Sequence, residues 1–182
     1  MTQSRVLVLV GSLRTASVNR QLAETAVHVA PEGAEVVVFD GLGTIPFYNE
    51  DIDTPDAPIE SVVALRTAAA EADALLLVTP EYNGTIPAVL KNAIDWLSRP
   101  YGQGAISGKP VAAISSSISS NGAQWAQDDV RKSVGVAGGK VLEDVALTLG
   151  ATGQKFGDLH PRENAEVADQ IAGVVQGLVA AA

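Results

Sequence analysis

The sequence predicts a doubly wound α/β domain: a five-stranded parallel sheet in the order 2-1-3-4-5, with helices on both faces. Three observations carry the prediction. Strand and helix signals alternate from end to end. The strand runs are apolar throughout rather than alternating, as in strands covered on both sides. No linker, repeat or low-complexity tract interrupts the 182 residues, which are read as one domain over 1–182.

The elements follow in order. RVLVLV, Arg5–Val10, is the first strand, and Val18, Leu22, Ala26 and Val29 then recur at helical spacing. EVVVF, Glu35–Phe39, is the second strand. Asp40–Ala57, rich in Gly, Pro, Asn and Asp, is longer than an ordinary connection and is expected to serve function. Ile59–Glu71 is helical, with Pro58 at or near its first turn. DALLLVT, Asp73–Thr79, is the third strand, Pro87–Leu97 a helix, PVAAIS, Pro110–Ser115, the fourth strand and Ala123–Val134 a helix. Lys140–Val145 supplies the fifth strand. Glu163–Ala181 closes the chain as a helix, with Val167, Ile171, Val174 and Leu178 on one stripe. This arrangement is the flavodoxin-like fold, whose ligands sit beyond the carboxyl ends of the strands near the switch between strands 1 and 3. Three loops are therefore candidates: Gly11–Asn19, Pro80–Ile86 and Ser115–Gln124.

Composition narrows the function. Apolar content is 47% and charged content 18%, as in a globular protein. The absence of cysteine removes disulfides, thiolate metal sites and a cysteine nucleophile. Net charge is −9 and the basic residues are scattered, so there is no clustered face for nucleic acid. No apolar run is long enough to cross a bilayer, and MTQSRVLVLVGS enters a strand without a cleavage site. The expectation is a cytoplasmic protein without a secretory leader, and without a membrane or nucleic-acid partner.

The first loop, GSLRTASVN, joins a strand to a helix N-terminus, where unpaired N–H groups and the dipole favour an anion. Ser12, Thr15, Ser17 and Asn19 add donors, and Arg14 adds a guanidinium fork, a set that suits a terminal phosphate. In the competing account Ser17 only caps the helix and Arg14 is a solvated surface residue. The position after the first strand of this fold favours the phosphate. Neither G-x-x-x-x-G-K-[ST] nor G-x-G-x-x-G occurs, which points to one phosphate rather than a pyrophosphate. In the second loop, Pro80, Asn83 and Gly84 are turn formers. Gly84 at positive φ would present consecutive N–H groups to a planar heterocycle, and Tyr82 would cover one ring face. An ordinary strand-to-helix turn, with Pro87 opening the helix, explains the same residues equally well.

GSLRTASVNR together with PEYNGTIPAVLKNAIDW resembles the NADPH-dependent FMN reductase family, which includes quinone, chromate and azo-dye reductases. IPFYNED, Ile45–Asp51, is similar to that family's stretch after strand 2. The likeness covers about the first 120 residues well and the rest loosely. It implies that Ser12, Arg14, Ser17, Val18 and Asn19 hold the FMN phosphate and that Pro80, Glu81, Tyr82, Asn83 and Gly84 border the isoalloxazine. Ser115, Ser116 and Ser117 would line the other side, with Ser119 a further donor. Relatives often carry a glycine-rich stretch followed by an arginine there; this chain has SSSISSNGAQWAQ, with Trp125 near the arginine position. A solvated serine-rich loop is the plainer account of that segment.

The implied activity is NAD(P)H-dependent reduction of small electrophilic acceptors: quinones, chromate, azo compounds or free flavin. Hydride passes through flavin N5, and no catalytic side chain is required because the cofactor carries the electrons. With no second nucleotide fingerprint, NAD(P)H and acceptor are expected to use one face in turn, a ping-pong scheme. A flavodoxin-like electron carrier with a protein partner is the alternative, and a flavin-free phosphate binder a third reading.

Other constellations are weak. His28 and His160 are read as surface residues, the Ser115–Ser120 cluster lacks a triad histidine, and no spacing suggests a metal. Asp128–Asp129 is read as a solvated helix start. Val89, Ala93 and Trp96 form one stripe of the third helix and Leu90, Ile94 and Leu97 its neighbour. That breadth means either burial under loops or a subunit interface anchored by Trp96. The resemblance implies a homodimer or homotetramer.

Overall fold

The computed structural model describes residues 3–182, so Met1 and Thr2, on which part of the leader expectation rests, lie outside the described residues. Five parallel strands stand in the order β2-β1-β3-β4-β5, as the alternation predicts. They are β1 (Ser4–Val10), β2 (Ala34–Val38), β3 (Ala74–Thr79), β4 (Pro110–Ser116) and β5 (Lys140–Leu149). The helices are α1 (Val18–His28), α2 (Glu60–Glu71), α3 (Ala88–Leu97), α4 (Gln124–Val136), α5 (Thr152–Phe156) and α6 (Ala165–Ala181).

Side chains two apart on a strand face the same side of the sheet, which explains the continuous apolar runs. Leu7, Leu9, Leu75, Leu77, Val111 and Ala113 meet α2, α3 and α4. Val6, Val8, Val10, Leu76, Val78 and Ile114 meet α1 and α6 on the opposite side. Each strand thus feeds two core layers. The closing helix is shorter at its start than the pattern suggests. Asn164 caps α6 by accepting from the Val167 N–H at 3.2 Å, and Pro161–Glu163 forms a separate 3₁₀ turn. Pro58 and Pro87 stand outside their helices: Ile59 and Pro87 are the N-caps of α2 and α3.

β5 departs most from expectation. It runs to Leu149, and its register with β4 jumps from Val111↔Val141 to Ala113↔Ala146. The extra residues include the exposed Glu143 and Asp144, consecutive charges that cannot both alternate into a core. An edge strand accommodates them by bulging. Arg131 of α4 pairs with Glu143 and donates to its carbonyl at 2.7 Å.

The long connection after β2 is not loose. Asn92 of α3 accepts from the Tyr48 N–H at 2.8 Å and donates to the Pro46 carbonyl at 2.9 Å. Trp96 donates to that same carbonyl at 2.8 Å and packs edge-to-face on Tyr48, with ring centroids 4.9 Å apart. Trp96 is fully buried within one chain, as are Leu90, Ala93 and Leu97, so the breadth of the helix is burial under its own connection. Trp96 as an exposed interface anchor is thereby corrected.

Arg66 of α2 holds the end of the connection through two 2.8 Å bonds to the Asp53 carboxylate, and donates from Nε to the Trp96 carbonyl at 3.2 Å. The Arg66 hydrogen bonds hold the Asp53 carboxyl below its usual pKa, against the opposing effect of its partial burial. A depressed folded-state pKa adds stability above the unfolded value of about 3.9 and loses it as pH falls through the folded value. Asp53→Asn should therefore cost about 1–2 kcal/mol at pH 7 and progressively less below about pH 4. Urea midpoints of both proteins across pH 3–7 check this; a pH-independent gap would assign the cost to packing instead.

Candidate functional site

Because all five strands are parallel, the loops after β1, β3 and β4 emerge from one edge of the sheet, as the topology requires. Specific bonds tie them together. The Gly11 N–H donates to Val78 of β3 at 2.8 Å. Ser116, at the end of β4, donates to Asn19 Oδ1 in the first turn of α1 at 3.1 Å, with both residues buried. Glu81 accepts from the Ala126 N–H of α4 at 3.3 Å, a carboxylate against the positive end of that helix. Thr85 donates to Asp129, also on α4, at 2.5 Å. Asp129 is thus a structural acceptor rather than a merely solvated charge.

In the first loop, Ser17 occupies the N-cap position of α1 in extended conformation, yet its side chain makes no capping bond. The residue is 2% exposed, and its hydroxyl has no hydrogen-bond partner among the described residues. A serine that only capped the helix would accept from the N–H two or three residues on. Arg14 is exposed and forms no ion pair with the described residues. Ser12, Arg14 and Thr15 border a cavity of about 320 Å³ whose far wall carries Arg20, Glu24 and Asp40. Arg20 binds both carboxylates there, and its hydrogen bond, with their attraction, pulls the Asp40 carboxyl below its ordinary pKa. The two carboxylates that line this cavity are therefore already paired.

The second loop is a tight hairpin. Tyr82 and Thr85 exchange both backbone bonds, at 3.0 and 3.2 Å, while Asn83 and Gly84 have φ of 53° and 79°. Two consecutive positive φ values define a type I′ turn, for which Asn-Gly is the favoured pair. The Asn-Gly signal covers both residues, although the sequence reading assigned positive φ to Gly84 alone. Tyr82 stands half exposed at the turn's start.

The third loop is packed at its two ends, while residues 118–120 are exposed. Ser115 is fully buried and donates to the Gly122 carbonyl at 2.9 Å, so its hydroxyl is engaged inside the fold. Ser117 and Ala151 N–H groups donate to Leu149 and Ser119, at 3.1 and 2.9 Å. Gly150 permits this backbone-to-backbone approach, since a Cβ there would stand 2.4 Å from the Ser120 carbonyl. Ser117 and Ser119 hydroxyls bond each other at 2.9 Å near the surface. The candidate serines thus divide into Ser115 inside, Ser116 bridging to Asn19, and Ser117 outside.

Two other features differ from expectation. His160 is half-buried, with Nε2 at 3.2 Å from Glu24 and Nδ1 accepting from the Arg162 N–H at 3.2 Å, so it is not a plain surface residue. A cavity of about 790 Å³ lies on the α2–α3 side among Tyr48, Asp53, Arg66 and Tyr101 rather than at the loop cluster. Among the described residues no group of three or more His, Asp or Glu could hold a metal, and no helix is long and apolar enough to cross a membrane.

Comparison with known proteins completes the picture. Residues 4–154 match the model of the NADPH-dependent FMN reductase family. A quinone reductase of Pseudomonas putida is 46% identical over 129 residues, 71% of this chain and 68% of that one. A 2-hydroxy-1,4-benzoquinone reductase of a Burkholderia species is 45% identical over 127 residues, 70% of this chain and 68% of its own. Among solved structures, the flavoenzyme NAD(P)H:(acceptor) oxidoreductase FerB of Paracoccus denitrificans superposes with a TM-score of 0.82 at 32% identity, covering 98% of this chain and 96% of that one.

Proposed function

The chain belongs to the NADPH-dependent FMN reductase family and is an oxidoreductase that uses FMN and NAD(P)H; we propose that as a single FMN-binding domain it reduces small electrophilic acceptors in a ping-pong cycle. The overall reaction is NAD(P)H + H⁺ + quinone giving NAD(P)⁺ + hydroquinone, with chromate, azo compounds and free flavin as further candidate acceptors. A cytoplasmic location fits a reaction drawing on NAD(P)H, and a homodimer or homotetramer is the assembly in keeping with the family.

The observation that carries this reading is Ser17 at the head of α1, a residue 2% exposed whose side chain makes no capping bond. It leaves a donor and the free N–H groups of the first turn aimed where an anion gains most. Ser12, Arg14, Ser17, Val18 and Asn19 would hold the FMN phosphate. Asn19 keeps its amide nitrogen for that purpose, because its oxygen already accepts from Ser116. Pro80, Glu81, Tyr82, Asn83 and Gly84 would border the isoalloxazine, the type I′ turn offering N–H groups to its polar edge. Ser115, Ser116 and Ser117 support the opposite wall, Ser115 through backbone position only. FMN held there would supply the hydride-transfer chemistry between NAD(P)H and the acceptor. The protein's part is orientation and a polar environment for the negative charge.

The purified chain should show flavin absorption bands, bleach with one equivalent of NADPH without oxygen, and recover its colour on addition of a quinone. Initial rates at several quinone concentrations should give parallel double-reciprocal lines. Colour that returns only with an added protein partner would support an electron carrier; a colourless protein that binds no FMN would overturn the reading.

A further inference from the structure

Each loop at the carboxyl edge of the sheet leaves one large apolar side chain in solvent: Leu13 after β1, Tyr82 after β3 and Ile118 after β4, with Trp125 in the first turn of α4. Together they place four apolar side chains in solvent around the three candidate loops. Trp125 stands out because its surroundings are tied to the second loop at three points while the residue stays 62% exposed. Its neighbour Ala126 is bonded to Glu81, and Glu81 precedes Tyr82. A Cβ on Gly84 would lie 3.6 Å from Trp125 Cε3, so the indole rests against the hairpin turn. One helical turn on, Asp129 accepts from Thr85 on the far side of the same hairpin.

From this arrangement we infer that Trp125 is a specificity-determining residue, an aromatic wall that selects flat, uncharged, conjugated acceptors over compact anionic ones. The inference rests on the proposed flavin site and names the acceptor class of that same site. An exposed indole held against the turn offers a π surface to a planar ligand, and such contacts favour offset or edge arrangements beyond simple area burial. A hydrated anion gains nothing from that surface. It also meets Asp128, exposed three residues further along α4, and a chain of net charge −9. A quinone takes two electrons and two protons, as hydride plus a solvent proton, and leaves as hydroquinone. Ferricyanide takes one electron per ion, so two ions are consumed for each NADPH and one proton is released.

The test compares Trp125→Ala and Trp125→Phe with the parent holoenzyme, using 2-methyl-1,4-naphthoquinone and ferricyanide as acceptors with NADPH. In Trp125→Ala the ratio of kcat/KM for quinone to that for ferricyanide should fall about fivefold to tenfold, chiefly through KM for the quinone. Trp125→Phe should recover most of the ratio. A second readout needs no turnover. The chain has two tryptophans, and Trp96 is fully buried. Quinone titrated without NADPH should therefore quench a saturable part of the fluorescence that is missing in Trp125→Phe. An unchanged ratio, equal loss for both acceptors, or saturable quenching that persists in Trp125→Phe would overturn the assignment. So would a loss of oligomer in Trp125→Ala by light scattering, which would place the indole in a subunit contact. If the protein oxidises no NADPH, the proposed function fails while the quenching titration still decides for or against Trp125.

Discussion

Replacing Arg14 with alanine should raise the FMN dissociation constant about 10- to 100-fold, because a charge-assisted bond to phosphate contributes about 1.5–3 kcal/mol. The fold should hardly notice. Arg14 is exposed and has no ion pair with the described residues, so the melting temperature without FMN should move by less than about 1 °C. The loss should be largest at low salt, where the guanidinium acts against the field of an acidic chain. Lysine at this position keeps the charge and gives up the planar fork, so its affinity should fall between the two. Fluorescence titration of FMN against the three proteins measures the effect. Unchanged affinity in Arg14→Ala would return GSLRTASVNR to being a strand-to-helix connection with no phosphate.

The second large effect is on stability. Trp96→Ala should cost about 3–5 kcal/mol, the usual range for deleting a buried aromatic side chain, and lower the melting temperature by about 10 °C. The indole is fully buried, meets Tyr48 edge-to-face, lies 5.3 Å from the Arg66 guanidinium and donates to the Pro46 carbonyl. Removing it opens a cavity and also takes one of two donors, the other being Asn92, from the Pro46 carbonyl of the 39–59 connection. Trp96→Phe separates the two contributions: it keeps most of the volume and should lose only about 1 kcal/mol for the missing bond. Urea denaturation of the three proteins gives the numbers. A loss in Trp96→Ala below about 1 kcal/mol would mean that the connection collapses into the space without penalty.

The sheet was legible because strands buried on both faces must be apolar at every position, and VLVLV or ALLLV admits few other accounts. The strand order followed from right-handed crossovers once the alternation was recognised. Tertiary compensation was not legible. Glu143 and Asp144 hide the second half of β5, because an edge strand can bulge where a central one could not. The short α5 starts from Ala151 at φ 52°, a conformation alanine rarely adopts and no local residue announces. At the loops, residue types indicated donors but not which were already taken. Ser115 and Ser117 look alike in SSSISS, yet one faces Gly122 inside the fold and the other its neighbour Ser119 outside. Ser17 is the reverse case, since the competing account made it only a cap and its side chain makes no capping bond.

The Asn19–Ser116 bond has a bearing on when this protein becomes complete. It joins residues 97 apart in the chain, with two strands (β2, β3) and two α-helices (α2, α3) between their elements. During synthesis the N-terminal loop is made early, but its second wall does not exist until β4 has joined β3. Long-range pairings of this kind are slow to form, because loop closure must precede the contacts that reward it. A nascent chain ending before Ser116 would have the loop between β1 and α1 without the partner that bonds Asn19. On the proposed role of that loop, cofactor capture would follow assembly of the central sheet, and a ligand that grips both sides would then hold the late-arriving strand in place through mass action.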